Sequence, residues 1–196
     1  MAEVTLETIR QYVAGCKRCG LAAGRTHAVP GEGCPTAKLM CIGEGPGYHE
    51  DRLGRPFVGP SGQLLDKILA AAGFSRQTNV FIANIVKCRP PANRDPLPEE
   101  RQACLPLLLK QIEIVNPAII VLLGATALKG LINPSAHITQ LRGQWIEWQG
   151  RLVIPTFHPS ALLRNPQLKR PVWEDFKHVI DKYRQLVNPS HHSDYH

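Results

Sequence analysis

Residues 39–47 read Leu-Met-Cys-Ile-Gly-Glu-Gly-Pro-Gly, an apolar run that stops abruptly in a glycine-rich turn. A short apolar run bounded in this way predicts a buried strand whose chain reverses at the turn. The same arrangement recurs along the chain: Val80 to Ala83 runs into Asn84, Ala118 to Leu123 into Gly124-Ala125-Thr126, and Leu152 to Thr156 into Phe157-His158-Pro159-Ser160. Stretches of helical period lie between these runs. Leu64, Leu65, Ile68, Leu69 and Ala72 mark one helix face, with Ser61 as its expected cap and Gly73 as its end. Cys104, Leu105, Leu108, Leu109 and Ile112 mark a second, where Pro106 predicts a kink or a restart. A last helix is expected over about Val172 to Val187. The alternation predicts an α/β fold in a single domain: a central four-stranded, mainly parallel sheet with helices on both faces. The domain is expected to span residues 1–188, with the histidine-rich residues 189–196 as a frayed tail. Trp145 to Trp148 are expected to add one short extra strand.

In such a sheet ligands bind beyond the carboxyl ends of the strands. Polar and glycine-rich groups follow every predicted strand here, so one rim of the sheet is the expected site.

Composition narrows the partners. At 196 residues, 43% hydrophobic and 20% charged, the chain falls outside the disordered, collagenous and coiled-coil classes. Its longest apolar run, Ala118 to Leu123, is far short of the roughly 20 residues that span a bilayer. The first residues, MAEVTLETIR, lack a basic segment followed by an apolar one, so a cytoplasmic protein without a membrane partner is expected. Lys and Arg number 23 against 16 acids, which favours a polyanionic partner. Between Glu147 and Glu174 there is no acid, while Arg151, Arg164, Lys169 and Arg170 fall in that window as a candidate phosphate-contacting strip.

The chain has 6 cysteines. In a reducing compartment these argue for metal or cluster ligation over disulfides. Cys16 and Cys19 form a C-x2-C pair, and Cys88 and Cys104 complete a possible set of four. Four thiolates suit zinc and iron–sulfur clusters alike. Cys41 is expected in the core, and Cys34 has no assigned role.

The run Gly43-Glu44-Gly45-Pro46-Gly47, with Gly54-Arg55-Pro56-Phe57-Val58-Gly59 after it, is neither a P-loop nor a dinucleotide fingerprint. Its glycines allow backbone amides to approach a planar ligand, on which Phe57 can stack. Together with Asn84-Ile85-Val86-Lys87-Cys88-Arg89-Pro90-Pro91, Asn93-Arg94 and His158-Pro159-Ser160, this sequence resembles the family 4 uracil-DNA glycosylases, the iron–sulfur branch of their superfamily. The resemblance runs from Cys16 to about Arg164. It implies a [4Fe-4S] cluster on Cys16, Cys19, Cys88 and Cys104, and removal of uracil from DNA by a monomeric enzyme that initiates base excision repair. It also places Asn84 on the Watson–Crick edge of the flipped uracil and Phe57 on its face.

The chemistry asked of each residue is explicit. Asn84 can accept from uracil N3–H and donate to O4, whereas cytosine presents the reverse pattern. His158 is expected to donate to uracil O2 as negative charge develops there, assisted by amides of the Gly43 to Gly45 loop. Glu44 is the candidate for positioning water or stabilising the cationic sugar, with Asn93 to orient it, and Glu50 and Asp51 are nearby candidates. Leu162 and Leu163 are candidate wedges for the vacated base stack, and Arg164 a phosphate contact. Two positions depart from the better-known family 1 pattern: Gly45 stands where that family has a water-handling aspartate, and Gly47 where it excludes the thymine methyl. Thymine rejection is then expected from Tyr48 or Glu50. Two other readings compete with hydrolysis. A covalent uracil-trapping relative needs a histidine that the Arg89 to Asp95 loop lacks, and a non-catalytic iron–sulfur DNA-binding module would leave no abasic product.

Overall fold

The computed structural model describes residues 4–194. In chain order its helices are α1 (Leu6–Gly15), α2 (Tyr48–Leu53), α3 (Pro60–Ala71), α4 (Pro98–Val115), α5 (Ala125–Leu131), α6 (Ile138–Leu141), α7 (Pro159–Arg164) and α8 (Lys169–Leu186). The strands are β1 (Glu32–Gly33), β2 (Leu39–Gly43), β3 (Val80–Asn84), β4 (Ile119–Leu123), β5 (Ile146–Trp148) and β6 (Arg151–Thr156). They form one 6-stranded sheet in the order β1-β3-β2-β4-β6-β5. The inner strands β3, β2, β4 and β6 pair in parallel, as expected. At the edges two strands pair antiparallel: β5 is the extra short strand expected at Trp145 to Trp148, and β1 is one not expected from the sequence.

Alternation along the strands sorts the core into two layers. Met40, Ile42, Phe81, Ala83, Ile120 and Leu122 face Leu108, Ile112, Ala127 and Leu128 of α4 and α5. Leu39, Cys41, Val80, Ile82, Val121 and Ile154 face Leu65 and Leu69 of α3 and Phe176, Val179 and Ile180 of α8. Both faces are therefore dry, which is why these strands read as continuous apolar runs. No helix among the described residues is long and apolar enough to cross a membrane.

Three local expectations need correction. Helix α3 begins at Pro60 and not behind a Ser61 cap; the carboxylate of Glu50 accepts from Val58 N and Gly59 N just before it. Helix α4 is continuous through Pro106, so of the expected kink or restart the restart does not occur. The segment 189–194 does not fray. His191 stacks on Phe74 at 4.4 Å between ring centroids and lies 4.8 Å from Tyr183, its Nε2 bonds Ala72 O at 2.8 Å, and Asp194 N donates to Ala71 O. Residues 195–196 of the expected tail lie outside the described residues.

Strand order fixes where a ligand can sit. The chain passes from β2 outward to β3, then returns across β2 to β4. This reversal opens a crevice at the carboxyl ends of β2 and β4.

Candidate active site

A cavity of about 720 Å³ opens at that crevice. It is lined by Glu44, Gly45 and Gly47 after β2, Gly124 and Thr126 after β4, and His158, Ser160 and Arg164 after β6, with Phe57 at its wall. The rings of Phe57 and His158 lie 5.5 Å apart, inclined by 32°. Asn84, the last residue of β3, is not among the residues that line this cavity and lies buried beside Phe57 at the end of β2. A Cβ on Gly43 would stand 2.6 Å from both Asn84 Oδ1 and the Phe57 ring, so only glycine lets these two side chains share the end of β2. Asn84 is 2% exposed, and its Oδ1 is buried with no hydrogen-bond partner. An unsatisfied buried carbonyl costs about 1–3 kcal/mol, a debt that a bound N–H donor would relieve.

The protonation of His158 follows from its neighbours. Ser160 N donates to His158 Nδ1 at 3.1 Å, and Ser160 Oγ lies 2.8 Å from the same nitrogen. Nδ1 is therefore an acceptor, and the ring proton of the neutral form belongs on Nε2. Burial, reinforced by the charge of Arg164 and opposed by Glu50, pushes the imidazole down to about 4. At neutral pH His158 is an uncharged Nε2–H donor.

Glu44 is held by Thr126, whose Oγ1 donates to Glu44 Oε2 at 2.6 Å. Burial pushes the Glu44 carboxyl up, against the Thr126 hydrogen bond, while Asp95 adds to the rise and Arg101 opposes it. Asn93 lies at the cavity rim, with Oδ1 accepting from Arg89 Nε at 2.7 Å.

A second pocket is lined by Cys16, Cys19, Cys88 and Cys104 together with Arg25, Lys87, Val13 and Leu107. Four cysteines from three separate segments thus face one apolar space, and all are free thiols. Arg25 Nη1 approaches Cys88 Sγ at 3.1 Å. Among the described residues no three His, Cys, Asp or Glu side chains are grouped to hold a single ion.

Residues 30–177 match the family model described as the uracil DNA glycosylase superfamily. A Type-4 uracil-DNA glycosylase of Thermotoga maritima is 49% identical over 189 residues, covering 94% of this chain and 96% of the relative. The chain belongs to the uracil-DNA glycosylase superfamily. A Type-4 uracil-DNA glycosylase of Archaeoglobus fulgidus is 39% identical over 183 residues, covering 89% of this chain and 92% of the relative. A Type-5 uracil-DNA glycosylase of Thermus thermophilus is 32% identical over 198 residues, covering 91% and 89%.

Against this uracil-DNA glycosylase background the structure sorts the candidates. Glu44, Gly45, Phe57 and His158 line one cavity, while Gly43 and Asn84 lie buried behind it next to Phe57. Leu162 does not reach it. It is 1% exposed and packed in the core, whereas Leu163 is 48% exposed beside Arg164. Leu162→Ala is therefore expected to cost about 2–5 kcal/mol of stability and Leu163→Ala less than about 0.5 kcal/mol, measured by denaturant titration. The basic strip is also divided. Arg151 starts β6, at the end of the strand away from the rim, where its guanidinium bonds Gln149 O and Asn116 Oδ1.

Glu50 is half-buried and lines the cavity, whereas Asp51 is buried, and both carboxylates are engaged by backbone amides. Glu50 accepts from the amides of Gly47, Val58 and Gly59, joining the two glycine-rich turns, and buried Asp51 accepts from Thr26 N at 2.8 Å. Tyr48 is exposed, with the guanidinium of Arg89 5.3 Å from its ring centroid. Thr126 was not singled out as functional from sequence. Its one signal is its place in the turn after a buried strand.

Proposed function

We propose that the protein is a monofunctional uracil-DNA glycosylase, which turns uracil out of DNA and hydrolyses its N-glycosidic bond to leave an abasic site. The observation that carries this reading is the unpartnered, buried Oδ1 of Asn84 beside Phe57, whose ring in turn lies 5.5 Å from that of His158. An extruded uracil supplies what that oxygen lacks. Its N3–H donates to Asn84 Oδ1, its O4 accepts from the amide nitrogen, and its face lies on Phe57. Cytosine offers an acceptor to Oδ1 and a donor to the amide, leaving both buried groups unpaired.

Bond cleavage sends an electron pair onto the base, where charge gathers on O2. A neutral Nε2–H from His158 stabilises that anion without first having to shed a proton. Amides of the Gly43 to Gly45 turn are the candidates to assist it. Glu44, fixed by Thr126, is the carboxylate for the attacking water or the cationic sugar. Asn93 is the candidate to orient that water from the rim. Leu163 is the wedge for the vacated stack and Arg164 the phosphate contact, on the exposed side of α7.

The donor set of Cys16, Cys19, Cys88 and Cys104 fits a [4Fe-4S] cluster. Four thiols line one apolar pocket, the all-thiolate donor set that such a cluster takes. When bound, such a cluster would supply a covalent tie between the N-terminal segment and the Cys88–Cys104 excursion, leaving cleavage to the residues above.

The test is incubation with a uracil-containing oligonucleotide. Alkali-labile ends without a heat-stable protein–DNA adduct are expected. An adduct would favour covalent trapping, and neither product would favour a binding module. Leu163→Ala is expected to slow excision from duplex more than from single strands, since only a duplex has a stack to refill. Equal slowing on both substrates would remove the wedge role.

A further inference from the structure

The stacking ring of Phe57 sits on a backbone that does not favour it. Phe57 has φ +52°, a left-handed conformation uncommon for an aromatic residue, so something outside the turn must hold it there. Two oppositely charged side chains do so from opposite sides. The carboxylate of Glu50 accepts from Val58 N and Gly59 N at 2.9 and 2.8 Å. Arg76, 6% exposed and 19 positions beyond Phe57, reaches back to the two preceding carbonyls. Its Nη1 donates to Pro56 O and its Nη2 to Phe57 O, both at 2.7 Å. The remaining donors of the fork are engaged by acids, Nη1 with Glu32 Oε1 at 2.9 Å and Nε with Asp66 Oδ1 at 3.0 Å. Glu32 in turn accepts from Arg55, the residue that opens the turn. Although burial pushes the Glu32 carboxyl up, hydrogen bonds and charge from Arg55 and Arg76 hold it below its ordinary value.

The floor under the turn is closed as well. A Cβ on Gly62 would fall 1.9 Å from Phe57 O, so the first turn of α3 presses directly on the peptide that Arg76 grips. Lysine has the charge of arginine but not its planar fork, and cannot take two successive carbonyls and two carboxylates at once.

We propose that Arg76, with Glu32 and Asp66 as its counter-ions, is a positioning residue for base stacking: it fixes the peptide planes around Phe57 so that the ring meets the extruded pyrimidine. This rests on the reading of Phe57 as the stacking platform. Arg76 acts through Phe57 and does not itself touch the base. Its loss should therefore be felt only where a base is present to stack.

The test is a double-mutant cycle on the full-length, cluster-loaded protein. Arg76→Met is expected to lower kcat/KM on a uracil oligonucleotide by about 10- to 100-fold when Phe57 is present. In a Phe57→Ala background the same change is expected to cost less than about 3-fold. Affinity for DNA carrying an abasic site, which has no base to stack, should stay at its wild-type value. Equal losses in both backgrounds, or a parallel loss of abasic-site binding, would overturn the proposal. Amide exchange provides a readout independent of catalysis: Val58 and Gly59 should exchange faster in Arg76→Met while Ile82 and Ala83 keep their protection. Unchanged protection at Val58 and Gly59 would also overturn it. If Arg76→Met does not fold, Glu32→Gln leaves the carbonyl contacts possible and should show the same pattern at smaller amplitude; absence of the pattern counts against the proposal. A wild-type chain that releases no uracil would count against the glycosylase reading alone, because the exchange experiment still decides whether Arg76 holds the turn.

Discussion

A His158→Ala variant is expected to lose about 10²- to 10³-fold in kcat on uracil-containing DNA, the usual scale for removing one preorganised donor from a developing anion. The loss should appear in kcat more than in KM, because the hydrogen bond to O2 strengthens only as the carbon–nitrogen bond opens. The fold should bear the change. His158 caps α7 by accepting from Ser160 N, and a lost cap costs about 1 kcal/mol, or about 2–4 °C in melting temperature for a chain of this size. The visible absorption of the cluster proposed for the four cysteines should be unaffected, since they line a different pocket. The pH behaviour gives a second check. With the imidazole pushed down to about 4, kcat should show no inflection near the ordinary histidine value and no His158-linked change until about pH 5 or below. An NMR titration of the ring should find the same low midpoint, and Arg164→Gln should raise it by removing a repulsive charge. A His158→Ala enzyme that cleaves at the wild-type rate would remove this residue from the chemistry.

The second large effect is expected at Asn84, where activity and stability should move in opposite directions. Asn84→Leu keeps the shape of the side chain and deletes both uracil hydrogen bonds, so kcat/KM should fall by at least about 10²-fold. The same substitution removes a buried oxygen that has no partner, so the melting temperature should hold or rise. A destabilised Asn84→Leu chain would mean that the amide is a structural member of β3. Full activity would mean that the base is read elsewhere. The two outcomes are measured separately, by thermal melting and by steady-state excision.

The parts legible in the sequence were those that a run of residues encodes on its own. Four parallel strands announce themselves because both their faces are dry, and the rim follows because polar turns end each of them. Phe57, Asn84 and His158 are nominated by the family resemblance; taken alone, an aromatic in a turn, an asparagine at a strand end and a lone histidine fit structural roles as well. What stayed hidden depends on partners distant in the chain. Neighbouring leucines give no sign of which is rooted, and only the packing of Leu162 against the β2–α8 layer decides it. Strand β1 is two residues of Glu and Gly, with no apolar pattern to read. Glu50 and Asp51 look like a surface turn until the amides they serve are in place. The tail has a solvent-loving composition, yet Phe74 and Tyr183 form a slot for one of its rings.

Helix α7 has only 6 residues, with the imidazole at its head and Leu163 and Arg164 at its foot. A rod this short has no internal hinge, so its ends translate as one body. With Leu163 and His158 in the roles proposed above, any load that a double helix places on the protruding leucine should also tilt the hydrogen-bond donor. Kinetics on slack single strands should report the donor's resting pose, and kinetics on stiff duplexes its pose under tension.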